Sequence, residues 1–233
     1  MLPLCRVIVS VVIPAFNEQA TIATTIGRVR ATGLVSEIIV VDDASSDQTP
    51  AIVSGLKASD LVSIRHENNR GKGAALRTGF QHARGDIVIV QDADAEYDPA
   101  DYARLLAPIR DGKADVVLGS RFAGGEAHRV LFFWHSVGNR VLTLASNALT
   151  NLNLTDMECG FKVFRKDVLA RVTVEEERFG FEPEIVAKVA RLDVRIFEVG
   201  VSYNGRTYAE GKKITWRDGV AALWCIVKYN VLR

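Results

Sequence analysis

Asp86-Ile87-Val88-Ile89-Val90-Gln91-Asp92-Ala93-Asp94-Ala95-Glu96 is the stretch that decides the fold. Its first half is an apolar, β-branched run of the length of a strand buried on both faces; its second half sets three carboxylates close together. Such a strand belongs to an α/β sheet, where ligands collect at the carboxyl ends of the strands. Asp92, Asp94 and Glu96 are an oxygen cluster suited to Mg²⁺ or Mn²⁺, hard cations that complete their shells with water and substrate phosphates. A lone Asp-x-Asp is better read as a solvated turn, and the rest of the chain has to decide between the two.

Outward from this strand, apolar runs at Val7–Ile13, Glu37–Val41, Leu61–Ile64 and Asp115–Leu118 alternate with segments of helical period. That is the pattern of a sheet covered by helices on both faces. After Glu18, Ile22, Ile26 and Val29 share a helical face that ends at Gly33. Thr49-Pro50 reads as a cap followed by a first-turn proline, with Ile52, Val53 and Leu56 turned inward. Asp98-Pro99 repeats that start for a helix burying Leu105, Leu106 and Ile109. Beyond Gly119 come a long helical segment, Val130 to Leu149, a polar loop, Asn151 to Glu158, and a strand candidate, Phe161 to Phe164. A further apolar run, Val194–Val199, precedes a helix from Asp218 in which Val220, Leu223, Trp224, Val227 and Val231 form one stripe, a pattern more typical of core or subunit contact than of a membrane surface. No repeat or linker marks a domain boundary.

The chain has 233 residues, 48% of them apolar, enough for a substantial core. A net charge of +1 gives no support for nonspecific binding to nucleic acid. Cys5, Cys159 and Cys225 lack metal spacing and read as buried thiols in a reducing compartment. Neither Val7–Ile13 nor the polar-interrupted Val130–Leu154 has the length and uniformity of a membrane span, and the first lacks the features of a signal peptide. The expectation is a cytoplasmic protein without a transmembrane helix.

Polar groups cluster after three strands: Pro14-Ala15-Phe16-Asn17-Glu18, Asp42-Asp43-Ala44-Ser45-Ser46-Asp47 and the Asp92 cluster. No G-x-G-x-x-G follows the first strand, and Gly71-Lys72-Gly73 lacks the Walker spacing, so a dinucleotide or P-loop site is disfavoured. Asp43 reads as an acceptor for a nucleobase N–H or a ribose hydroxyl, whereas Asp42 and Asp47 have a plain alternative role as helix caps.

Together with Asn69-Arg70-Gly71-Lys72-Gly73-Ala74-Ala75 and Gly119-Ser120-Arg121-Phe122, these motifs stand in the order seen in family 2 glycosyltransferases, and the chain resembles the polyprenyl-phosphate branch, relatives of dolichyl-phosphate mannose synthase. The resemblance implies a GT-A fold: a Rossmann-like, mixed but mostly parallel sheet flanked by helices, with acceptor-side helices toward the C-terminus. One domain would span 1–233, with a nucleotide-sugar half over roughly 1–120 and an acceptor half over roughly 121–233. It implies a nucleotide-sugar donor, UDP- or GDP-linked, inversion at the anomeric carbon, and Mg²⁺ or Mn²⁺ as cofactor. By position, Pro14, Ala15, Asn17, Glu18, Asp43, Lys72, Asp92 and Ala93 would hold the donor, and Asp92, Asp94 and Glu96 the metal.

A polyprenyl phosphate acceptor is already ionised and needs cations more than a base. Arg121 and the loop bearing Arg206, Lys212 and Lys213 resemble the acceptor-side arginine and basic loop of these enzymes. The chain departs from the mannose synthase pattern at Lys212, where serine is common, and at Phe132, where an arginine is expected; Arg129 and Arg140 are the candidate substitutes. Asp156 matches an acid near the reacting carbon and either orients the acceptor or acts as base; Glu182 and Glu184 are second-choice acids, better read as residues of a helix start. Phe132-Phe133-Trp134 and the C-terminal stripe could rest on the bilayer, as a peripheral contact or against a membrane-protein partner, and the stripe could also serve homo-oligomerisation. The rival readings are a hydroxyl acceptor, which makes a base near Asp156 indispensable, and an inactive nucleotide-sugar-binding scaffold.

Overall fold

The computed structural model describes residues 7–124, 129–130, 132–207, 210 and 216–233. Seven strands, β1 Val9–Ala15, β2 Glu37–Asp42, β3 Leu61–Arg65, β4 Ile87–Val90, β5 Val116–Ser120, β6 Lys162–Arg165 and β7 Ile196–Gly200, form one sheet in the order β3-β2-β1-β4-β6-β5-β7. All neighbours are parallel except those of β6, which runs against both β4 and β5. The helices are α1 Ile22–Ala31, α2 Thr49–Gly55, α3 Lys72–His82, α4 Tyr102–Arg110, α5 Phe133–Thr150, α6 Lys166–Leu169, α7 Phe181–Ala190 and α8 Trp216–Val227. The five strand runs of the first half and the expected mixed sheet are thus present, with boundaries shifted by one or two residues at most strand ends.

Alternation along β1 explains why these strands read as unbroken apolar runs. Val9, Val11 and Ile13 pack with Ile22, Ile26 and Val29 of α1, whereas Val12 faces the opposite core with Ile39, Val41 and Leu76. Both faces are buried, so no polar residue is needed on either. The strand continues past its expected end because Pro14 causes no loss there. The Ala15 carbonyl accepts from the Asp43 N–H and the Val12 carbonyl from the Gln91 N–H, so alternate residues bond to β2 and to β4. Pro14 lies on the β4 side, beyond the last β4 pair at Val12–Val90, where no N–H is called for.

The reversed β6 does most to position the site. A strand that runs against its neighbours begins where they end, so the loop leading into it, 151–161, lies at the carboxyl edge beside the Asp92 cluster. Register makes the placement explicit: Lys162, the first residue of β6, pairs with Val90 at the end of β4 and with Leu118 of β5.

Two local expectations are corrected. At α2 the cap position is Gln48, not Thr49; the Asp47 carboxylate before it accepts the Thr49 N–H at 2.9 Å, while the Thr49 hydroxyl accepts from the Glu18 N–H. In α8 the predicted stripe is the outward face. Val220, Leu223, Trp224 and Val231 are exposed, and Ala222, Cys225 and Ile226, with Tyr229 of the following π turn, are buried. The helix is apolar on both sides, and periodicity alone does not say which side packs. Cys159 and Cys225 are buried free thiols, both pushed up to about 12 by burial. Cys5 lies outside the described residues.

Gly71 and Gly73 turn out to serve packing. Gly71 has φ +99°, and a Cβ on Gly73 would sit 2.1 Å from the Glu176 carbonyl oxygen, so the start of α3 lies flat on the 176–178 segment. Gly73→Ala should therefore destabilise by about 1–3 kcal/mol, the usual cost of overpacking, and lower the thermal midpoint. A midpoint equal to the wild type's would contradict this contact.

Candidate functional site

Three loops at the carboxyl edge hold non-glycine residues in the left-handed region: Asn17 after β1 (φ 52°), Ala44 after β2 (φ 60°) and Ala95 after β4 (φ 60°). Such residues persist only where surrounding bonds over-determine them. Here the bonds are visible. The Asn17 N–H donates to Ser45 Oγ and the Asn17 side-chain oxygen accepts the Ser46 N–H, each at 2.9 Å, stitching the first loop to the second. Ala15 and Ala93 are buried, and the Ala93 carbonyl accepts from the Thr25 hydroxyl.

Asp43 is buried and already heavily engaged. It accepts the Arg70 and Gly71 N–H groups, and its Oδ1 lies 2.7 Å from His66 Nδ1, whose other ring nitrogen meets the Thr78 hydroxyl. A shallow depression lined by Arg65, His66, Glu67, Asn68 and Arg70 opens beside it. His66 carries no sequence signal; it arrives through the β3–α3 loop.

The acids after β4 divide between two cations. Lys72 Nζ lies 2.7 Å from Asp92 and 2.8 Å from Glu182, a half-buried Asp92–Lys72–Glu182 chain. Burial opposes the charge on Lys72, but the two carboxylates outweigh it and hold the ammonium protonated. Arg206 takes the others: its guanidinium lies 3.0 Å from Asp94, 3.2 Å from Glu18 and 3.3 Å from Glu96, and its backbone N–H also donates to Glu96. Glu96 further accepts from the Tyr203 hydroxyl at 2.7 Å, tying the Arg206 segment to the acid loop. Burial and the charges of Asp92 and Glu96 push the Asp94 carboxyl up to about 7. Among the described residues no three acids, histidines or cysteines converge on one point, so Asp92, Asp94 and Glu96 do not form a ready-made cage. The excess negative potential at Asp94 nonetheless fits a divalent cation held by one or two carboxylates and completed by phosphate.

On the other side of the cleft, Arg121 and Asp156 form a bidentate pair, Nε–Oδ2 2.6 Å and Nη2–Oδ1 2.7 Å. Asp156 also accepts the Arg121 N–H at 3.0 Å and the Asn139 amide at 3.1 Å. It is 1% exposed, with both oxygens committed. Such a carboxylate orients a guanidinium and is badly placed to take up a proton. Glu198 of β7 shapes the same loop by accepting the Thr155 and Asp156 N–H groups. Arg129 reaches the basic segment, donating to the Gly205 carbonyl and to Glu210, whereas Arg140 is exposed on α5. Lys212 and Lys213 lie outside the described residues.

Glu182 and Glu184 both stand in the first turn of α7, as read, but their carboxylates work elsewhere: Glu182 on Lys72, and Glu184 on the Glu175 and Glu176 N–H groups and on Lys188. Asn139 and Glu158 were missed. Asn139 is one polar residue among several on a long helix, and Glu158 sits in a loop with no spacing rule to single it out.

Comparison with known proteins bears on this arrangement. A family model described as glycosyl transferase family 2 matches residues 10–173. An undecaprenyl-phosphate mannosyltransferase of Micrococcus luteus is 33% identical over 86% of this chain and 85% of its own length. A dolichyl-phosphate beta-glucosyltransferase of Trichomonas vaginalis is 27% identical over 85% of this chain and 66% of its own, and an undecaprenyl-phosphate 4-deoxy-4-formamido-L-arabinose transferase of Pseudomonas aeruginosa 30% over 88% and 60%. The chain therefore spans most of the first relative and under two thirds of the length of the other two. Among solved structures, glucosyl-3-phosphoglycerate synthase of Mycobacterium tuberculosis, crystallised with Mn²⁺, UDP and glucosyl-3-phosphoglycerate, superposes with a TM-score of 0.74 at 21% identity, covering 96% of this chain and 80% of that one. The same enzyme with Mg²⁺ and UDP gives 0.71 at 22%, covering 96% and 79%. These structural likenesses establish a shared GT-A fold.

Asp156→Asn removes a buried carboxylate and leaves the half-buried Arg121 guanidinium without its counter-charge. Stability should fall by about 3–5 kcal/mol, read by denaturant unfolding. A loss below about 1 kcal/mol, the scale of an exposed pair, would contradict the assignment of Asp156 as the holder of Arg121.

Proposed function

The chain belongs to glycosyl transferase family 2, and on that premise we propose that it moves a hexosyl group from a nucleoside diphosphate sugar to a polyprenyl phosphate, with inversion at the anomeric carbon. The relatives' polyprenyl-phosphate acceptors support this reading. One feature of the site carries the choice of acceptor: Asp156, the acid that the family resemblance offers as a base, has both oxygens occupied by Arg121 and Asn139. A hydroxyl nucleophile would need that base, and a phosphate needs none. What a phosphate needs is cations, and Lys72 on Asp92, Arg206 on Asp94 and Glu96, and Arg121 over Tyr203 stand along the same edge of the sheet.

In this reading the nucleoside lies over the first two strand ends, with Pro14, Ala15, Asn17 and Glu18 on one side and the Asp43–His66 pair beside the shallow depression. Asp92 and Ala93 face the ribose end of the donor. Asp94 and Glu96, with Asp92 adjacent, would hold Mg²⁺ or Mn²⁺, which when bound supplies positive charge to the departing diphosphate. Arg206 stands among the same acids, and a diphosphate entering the cleft offers its guanidinium better partners than carboxylates that must share it. Lys72 stays charged throughout because Asp92 and Glu182 flank it. Arg121 faces the acceptor. The donor half over roughly 1–120 and the acceptor half over roughly 121–233 are two sides of this one cleft.

A lipid acceptor has to be met at a membrane, and among the described residues no helix is long and apolar enough to cross one. The reading therefore uses the outer faces of α5 and α8, which pack on each other and expose Phe133, Trp134, Leu144, Leu223 and Trp224. Aromatic and leucine side chains of this kind insert shallowly at the interface. Contact would be peripheral, on the cytoplasmic side where nucleotide sugars are available.

Incubation with Mg²⁺ or Mn²⁺, a panel of UDP- and GDP-sugars and a short polyprenyl phosphate should yield a lipid-linked sugar, with Asp94→Ala lowering kcat by about 100-fold or more. Transfer to a simple sugar hydroxyl in preference to the phosphate would overturn the acceptor assignment. Leu144→Glu combined with Trp224→Glu should abolish co-sedimentation with liposomes while leaving the thermal midpoint near that of the wild type; full retention on liposomes would rule out this face.

A further inference from the structure

Glu158 lies between the two halves of the cleft and is used by neither. It sits two residues after Asp156 on the loop into β6, and the next glycine, Gly160, lies against Asp92: a Cβ there would stand 2.2 Å from Asp92 Oδ2. On one side is the chain Asp92–Lys72–Glu182, on the other the pair Arg121–Asp156, and beneath is Lys162, whose ammonium donates to the Met157 and Cys159 carbonyls. Asp92 and Glu182 share Lys72, Asp156 is paired with Arg121, and the Lys162 ammonium is engaged by two carbonyls, so among the described residues no cation forms an ion pair with Glu158. A charge on Glu158 would be the unmatched one. Its Oε1 is buried and has no hydrogen-bond partner among the described residues.

An unsatisfied buried oxygen is costly unless something arrives to satisfy it. The site of arrival is defined by its neighbours, since the sugar in transit must lie between the donor's diphosphate and the acceptor. We propose that Glu158 contacts the transferred sugar, standing in the cleft as an uncharged carboxylic acid that donates a hydrogen bond to a hydroxyl or ring oxygen. A neutral acid serves here where a carboxylate would repel the incoming phosphates. Burial first, and then the charge of Glu182, push this carboxyl up to about 8, with Asp156 adding and Lys162 and Arg121 opposing. The sugar contact rests on the transfer reading above; the protonation state does not.

The two parts are tested separately. A carboxyl raised from its ordinary 4.5 to about 8 binds its proton more tightly in the folded chain than in the unfolded one, so stability falls as pH rises through that window. Glu158→Gln removes this dependence, and its melting temperature relative to wild type should climb steadily from pH 5 to pH 8. Parallel curves would overturn the neutral-acid assignment. If the variant does not fold, the protonated-carboxyl C=O band in infrared spectra at pH 7 of the Asp94→Asn protein, which lacks the other raised carboxyl, decides the same point, and its absence is the contrary result. For the contact, kcat/KM is measured with the donor that gives product: Glu158→Leu should lower it about tenfold or more, and Glu158→Gln, which keeps an N–H donor, should recover most of that loss. Equal losses in both variants, or none in Leu, would overturn the hydrogen bond. If no donor yields product, the transfer reading falls and the sugar contact with it, while the stability comparison still decides the protonation state.

Discussion

Carboxylates brought out of water at one edge of a sheet have to be compensated where they stand, and the organisation of this cleft follows from that requirement. Asp92 and Glu182 share Lys72; Asp94, Glu96 and Glu18 share Arg206; Asp156 is matched by Arg121. The three arrangements differ in how completely they succeed. Asp156 is saturated, both oxygens held by Arg121 and Asn139. Asp94 is not: with Asp92 and Glu96 beside it and a shared guanidinium in front, its carboxyl is held near 7, a site still short of positive charge. The surplus is located where a donor diphosphate would bring its own cation.

The sheet makes this crowding achievable. Parallel strands deliver the loops after β1, β2 and β4 to one edge, and the single reversed strand delivers a fourth loop, 151–161, to the same edge from the other direction. In the proposed function, donor-side and acceptor-side groups thereby meet at one edge of the sheet. Left-handed residues at Asn17, Ala44 and Ala95 are the local cost of turning three loops sharply enough to aim their side chains into the cleft.

The strands of the first half were legible because Val- and Ile-rich runs buried on both faces leave an unmistakable record, and the Asp-x-Asp stands, as expected, just past the carboxyl end of β4. Legibility failed where several side chains compete for one role. Thr49 looked like the cap of α2, but its hydroxyl is taken by Glu18 and its N–H by the Asp47 carboxylate. In α8 both faces are apolar, and only packing against α5 and α7 shows which is outside. Glu158 and His66 depend on tertiary neighbours brought from distant segments, information that no local spacing contains. The acids after β4 read as one group, and their division between Lys72 and Arg206 is a matter of three-dimensional geometry that no local spacing contains.

The central claim is that Arg206 and a divalent cation answer the same deficit of charge at Asp94 and Glu96, with the nucleoside diphosphate drawing the guanidinium away. The measurement that tests it most directly is Mn²⁺ binding followed by electron paramagnetic resonance, with and without UDP or GDP. The account predicts that nucleotide and Mn²⁺ each tighten the other's binding by the same factor, and that Arg206→Ala raises Mn²⁺ affinity in the absence of nucleotide. Mn²⁺ affinity that is indifferent to both nucleotide and Arg206 would contradict it.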